Sequence, residues 1–201
     1  MRLASRLKRV ALVLALAAAL PASAGVIDFD GTNAPDAFSK TVALSDYYAS
    51  LGLSFSGVGG LGGSIVNQAA ELGFMARSGT DFLALNIEAK TVQAERITFA
   101  STQSLVSIYA ATLWDGTFTL TAFDDAGGVL ASVSQAATRE WQELTLSHEG
   151  IRSVVVASTT SDWAMDDLSF NASAEVPEPG NLALLGAGLL CLVALRRKRH
   201  A

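Results

Sequence analysis

The chain has 201 residues, 14 Lys and Arg against 19 Asp and Glu, and hydrophobic residues make up 50% of it. The length allows one domain plus terminal segments, and the acidic balance excludes a phosphate-neutralising surface and with it nucleic-acid binding. The single cysteine, Cys191, excludes an internal disulfide.

In chain order, Arg2, Arg6, Lys8 and Arg9 precede an apolar stretch from Val10 to Leu20, then Pro21 and the small residues Ala22-Ser23-Ala24. A basic start, a short apolar core and an A-x-A-like site predict a secretory signal peptide over 1–24, cut after Ala24. The exported part, 25–175, holds eighteen Asp and Glu against six Lys and Arg, near −12, because the remaining cations sit at the two ends.

The exported part reads as all-β. Val26–Phe29 is a first strand, Val42–Leu51 a short helix or turn, and Leu53–Phe55 a second strand. Gly57–Gly63, with five glycines, is a loop. Strands are expected at Glu71–Met75, Phe82–Ile87, Arg96–Phe99 and Ser104–Ala110. Thr117–Phe123 alternates polar and apolar, Asp124-Asp125-Ala126-Gly127-Gly128 makes a turn, and Val129–Val133 returns as a hairpin. Trp141–Leu146, Ile151–Ala157 and Trp163–Phe170 complete the set, Ile151–Ala157 being central. Short strands at this spacing predict a β-sandwich of jelly-roll-like topology, flanked by a signal-peptide helix and a C-terminal transmembrane helix.

Past the domain come Pro177-Glu178-Pro179, an apolar run from Leu182 to Leu195, and Arg196, Arg197, Lys198 and Arg199. The run predicts a transmembrane helix over 181–195, short for a bilayer but helped by snorkelling cations that hold the tail on the cytoplasmic side. The alternative is a core helix, which would leave four consecutive cations to solvate beyond it.

This tripartite tail over 176–201 resembles the PEP-CTERM sorting signal of exported bacterial proteins. The resemblance implies Pro177, Glu178 and Pro179 as a recognition motif, a transient anchor, and Arg196, Arg197, Lys198 and Arg199 as the retention cluster. It implies an exosortase that cuts near 177–179, and, before it, signal peptidase and the Sec export machinery. It also implies an inner-membrane-anchored precursor in a Gram-negative bacterium that makes exopolysaccharide, with the mature form at the cell surface or outside. More weakly, Ile27-Asp28-Phe29-Asp30, Tyr48–Phe55, Leu120–Leu130 and Asp166–Phe170 resemble exported domains similar in plan to carbohydrate-binding-module sandwiches.

Candidate sites follow from these segments. If first and last strands lie side by side, Asp28, Asp30, Asp166 and Asp167 converge, and hard oxygen donors suit Ca²⁺. The resemblance implies a structural calcium near there; solvated edge residues or turn caps are the alternative. Asp124 and Asp125 are explained by turn chemistry. Trp114, Trp141 and Tyr109 are candidates to stack on a sugar ring, with core packing as the alternative for each tryptophan. Trp163 is expected to be buried and His148 to sit in a surface turn. No G-x-S-x-G elbow is present. The expectation is a non-enzymatic exported surface or matrix protein with a possible polysaccharide ligand. A structural envelope or biofilm module without a ligand is the alternative, and a glycan-active hydrolase the remaining one.

Overall fold

The computed structural model describes residues 25–35, 42–59, 62–73, 75–87, 90–91 and 94–170. The segments 1–24 and 171–201, with the expected signal peptide, sorting motif, apolar run and basic cluster, lie outside the described residues. Among the described residues no helix is long and apolar enough to cross a membrane.

Among the described residues eleven strands form: β1 (Gly25–Ile27), β2 (Leu53–Gly57), β3 (Ser64–Asn67), β4 (Asp81–Ala84), β5 (Asn86–Ile87), β6 (Lys90–Thr91), β7 (Ala94–Thr112), β8 (Gly116–Phe123), β9 (Val129–Ala137), β10 (Gln142–Ser158) and β11 (Trp163–Phe170). Nine of them make one sheet in the order β3-β4-β11-β7-β10-β8-β9, with β1 on β11 and β2 on β7; β5 and β6 pair separately.

The two long strands explain how one sheet becomes a sandwich. The first part of β7 pairs β2, and its last part pairs β11. Likewise β10 pairs β7 along its length but meets β8 only from Ser153 to Ser158, after register shifts between Ser147 and Ser153. A bulge bends a strand, so β7 and β10 carry the sheet from one layer to the other. The sequence pattern predicts two strands in place of each, because the polar stretches Ala100–Gln103 and Ser147–Gly150 interrupt the alternation.

The core lies between the layers and is clamped by aromatic pairs. Phe118 of β8 meets Trp163 of β11 at 5.9 Å between ring centroids, Phe99 of β7 meets Phe170 at 5.5 Å, and Phe29 meets Phe55 of β2 at 6.2 Å. Trp163 is buried, as expected. The predicted β8–β9 hairpin forms with its Asp124–Gly128 turn, in which Asp124 Oδ1 accepts from the N–H groups of Ala126 and Gly128 and Gly127 adopts φ +80°.

Among the described residues of the expected strand Glu71–Met75 no strand forms: Gln68–Ala70 makes a short 3-10 helix capped by the Asn67 side chain, and Glu71 closes it in the left-handed conformation. The edge strand is β3 instead, seven residues earlier in start, where Ser64–Asn67 pairs with β4.

Candidate functional site

Strand β1 lies antiparallel to β11, with Ile27 opposite Leu168, so the first and last strands are neighbours. This brings Asp28, Asp30, Asp166 and Asp167 to one end of the fold. What they face is the loop 75–81. Asp30 Oδ1 accepts from the N–H groups of Thr80 and Asp81 at 2.8 and 3.0 Å. Asp166, fully buried, accepts from Arg77 N–H at 2.8 Å, Ser78 N–H at 3.3 Å and Asp167 N–H at 2.8 Å. Asp167 takes the Ser78 hydroxyl at 2.7 Å and pairs with the Arg77 guanidinium. Asp28 accepts from Asp30 N–H at 3.2 Å. Burial pushes the Asp166 carboxyl up to about 7, against the opposing pull of its N–H donors.

These carboxylates therefore hold a loop by its backbone. Among the described residues no three acidic, histidine or cysteine side chains form a group that could hold a metal. The donor set does not fit a calcium cage as it stands, because the oxygens point at N–H groups and a cation rather than at one shared point.

The sugar-platform candidates separate. Tyr109 and Trp141 lie on the outer face of the layer built by β11, the end of β7 and the start of β10, where Tyr109 pairs with Glu143. Both are covered. The Arg77 guanidinium carbon sits 3.4 Å from the Tyr109 ring centroid. Trp141 packs edge-on to Phe82 at 6.5 Å in a second small core with Val66, Ala84 and Ala164, and its indole N–H donates to Met75 O at 3.2 Å. Beside them runs a polar row: Ser107 donates to Glu143 Oε1 at 2.7 Å and Thr145 to Ser107 Oγ at 3.0 Å. Hydrogen bonds from Ser107 and Tyr109 hold the Glu143 carboxyl below its ordinary range.

Trp114 is different. It sits in the β7–β8 connection, 58% exposed, with its indole N–H donating to Asp162 Oδ2 at 3.3 Å. Asp162 also accepts from the Ser161 hydroxyl at 3.1 Å and has φ +54°. Nearby Thr112, Ser158 and Thr160 form a hydroxyl network at 2.8–2.9 Å. The sequence reading missed Arg77 and Asp162, partners that only the tertiary fold supplies. His148 is exposed in β10, its Nδ1 against Glu149 O at 2.7 Å.

Residues 175–199 match the PEP-CTERM protein-sorting motif. The chain carries an exosortase-linked sorting signal. The motif marks an exported, surface-associated protein with exosortase as a partner. No curated protein is similar to the chain. Among solved structures, a Bacteroides caccae protein of the DUF4465 family is 12% identical, with TM-score 0.46, over 78% of this chain and 96% of that one. TmCBM61 in complex with beta-1,4-galactotriose is 16% identical, with TM-score 0.39, over 59% of this chain and 86% of that one. The CBM22-1-GH10 modules of Clostridium thermocellum xylanase 10B, complexed with xylohexaose, are 13% identical, with TM-score 0.41, over 61% of this chain and 27% of that one. The likenesses thus include binding modules and an enzyme, and at these scores they decide neither ligand nor activity.

Proposed function

We propose that this is a non-enzymatic surface or matrix protein whose exported sandwich binds extracellular polysaccharide through Trp114. The observation that carries the reading is the exposed indole, tied at its N–H to Asp162. An aromatic face of this kind stacks on the apolar face of a pyranose while nearby polar groups meet the sugar hydroxyls. Tyr109 and Trp141 serve packing in this reading, since Arg77 and Phe82 cover them.

Export begins with signal peptidase and the Sec machinery acting on 1–24. The apolar run then anchors a precursor in the inner membrane of a Gram-negative cell until exosortase cuts near Pro177-Glu178-Pro179. Glycan-array binding by the purified protein, lost in Trp114→Ala at unchanged melting temperature, is the outcome expected. An array blank for the wild-type protein overturns the ligand and leaves a structural envelope module.

A further inference from the structure

We propose that β9 is an assembly edge, and that its occupant is a second copy of this chain paired antiparallel, strand β9 to strand β9. An edge strand presents a row of unpaired N–H and C=O groups, and proteins ordinarily blunt it with charge, proline or a covering segment. β9 carries neither charge nor proline, and β10 flanks it near Gln135, whose Nε2 donates to Glu143 O at 3.2 Å. From Ala126 to Thr138 the sequence contains no charged residue and no proline. The strand is nine residues long, and among the described residues only β8 pairs with it.

Other edges of the sheet are managed. The outer side of β2 donates from Phe55 N–H to Ser45 O at 2.9 Å, and that of β3 from Asn67 N–H to Pro35 O at 3.0 Å. Along β9, by contrast, Ser132, Ser134, Gln135 and Ala136 are exposed, as is Val129 at 66%.

Self-complementarity argues for a second copy rather than a different partner. Pairing centred on Val133 sets Ser132 opposite Ser134 and Ala131 opposite Gln135, with no charge facing a charge. It also continues a ladder that already crosses the hairpin, where Thr119 Oγ1 meets Ser134 Oγ at 3.0 Å and Thr121 Oγ1 meets Ser132 Oγ at 3.1 Å. Cross-strand hydroxyl pairs of this kind stabilise sheets. Beyond the strand, the exposed Arg139 of each copy comes alongside the 124–128 turn of the other, where Asp125, already paired with Arg152 of its own chain at 3.2 Å, keeps 77% of its side chain exposed. Glu140, next to it, offsets part of that attraction.

Two acidic domains repel, and salt screens that repulsion beyond about 8 Å at physiological ionic strength. Association should therefore strengthen as salt is raised.

Sedimentation velocity of the full chain in a mild non-ionic detergent, with reductant to keep Cys191 from cross-linking, tests the pairing. The expected result is a concentration-dependent dimer favoured by salt. Ser132→Lys/Ser134→Lys should weaken it by at least about tenfold, because edge lysines block strand addition. Mixing that variant with Ser132→Glu/Ser134→Glu should restore a heterodimer, which a misfolded variant would not do. A wild-type monomer at every concentration overturns the proposal. So does a lysine variant that dimerises as the wild type does, or a mixture that stays monomeric.

Discussion

Arg77 covers Tyr109. Its guanidinium carbon lies over the ring, 3.4 Å from the centroid, while Asp167 pairs with the guanidinium from β11. A loop cation is thereby fixed between an aromatic face and a carboxylate, and the contact anchors residues 75–81 over the sheet. A partly exposed cation–π contact and ion pair of this kind contribute about 1–2 kcal/mol together. Arg77→Ala should lower stability by about that much in urea unfolding and raise the access of acrylamide to Tyr109. If the variant gains glycan affinity that Tyr109→Ala then removes, Tyr109 belongs to a binding platform that Arg77 occludes.

The same loop depends on Gly79. Its φ is +55°, and a Cβ placed there would run into the Asp30 carboxylate that caps the N–H groups of Thr80 and Asp81. Both the left-handed backbone and the close approach call for glycine. Gly79→Ala should cost about 2–3 kcal/mol, from strain and from displacing a capping carboxylate. Amide exchange should show the loss first at Thr80 and Asp81, with β8 and β9 unaffected. Uniform loss across the domain would show that the loop is not an independent unit.

Glu95 gives the fold a pH dependence. It is 1% exposed, accepts from Gly63 N–H at 3.0 Å, and burial pushes its carboxyl up to about 7 from an ordinary 4.5. The folded state binds this proton more tightly than the unfolded chain does. The stability it contributes is complete below pH 4.5 and is lost as pH rises through 7, about 3 kcal/mol in all. Glu95→Gln should remove that share of the slope between pH 4.5 and 7 in thermal melts. Asp166, raised in the same direction, keeps part of it. A variant whose slope equals the wild type's would place Glu95 in water.

What was legible in the sequence divides along physical lines. Thr117–Phe123 alternated cleanly and became β8, because a half-buried strand needs a period of two. The Asp124–Gly128 turn was legible from its residues, since Asp124 caps and Gly127 supplies positive φ. Val66, Phe82 and Ala84, by contrast, are buried on the outer face of their layer. Leu72, Ala76 and Trp141 pack over that face, so β3 and β4 lack the alternation that marks a one-sided strand. Continuity of β7 and β10 was hidden because a bend exposes the polar residues at their middles. At the candidate sites, the neighbouring of β1 and β11 followed from topology, and the two strands do pair. The partners of the four aspartates were not foreseeable, because N–H groups of a loop carry no side-chain signal. Trp114 and Trp141 look alike in sequence, and only the presence of Phe82 beneath one and Asp162 beside the other separates them.

That geometry sets the expectation for calcium. At one hundred times its dissociation constant a ligand specific to the folded state adds about 2.7 kcal/mol, several degrees in melting temperature for a domain of this size. Asp30, Asp166 and Asp167 already spend their oxygens on Thr80, Asp81, Arg77 and Ser78. Calcium would have to displace the Arg77 guanidinium and turn at least two carboxylates away from their N–H donors. The chelated protein should therefore melt where the calcium-loaded protein does, to within about 1 °C, and calorimetric titration should give no binding heat. A rise of several degrees, abolished by Asp167→Asn, would show that the loop opens and that these aspartates form a metal site after all.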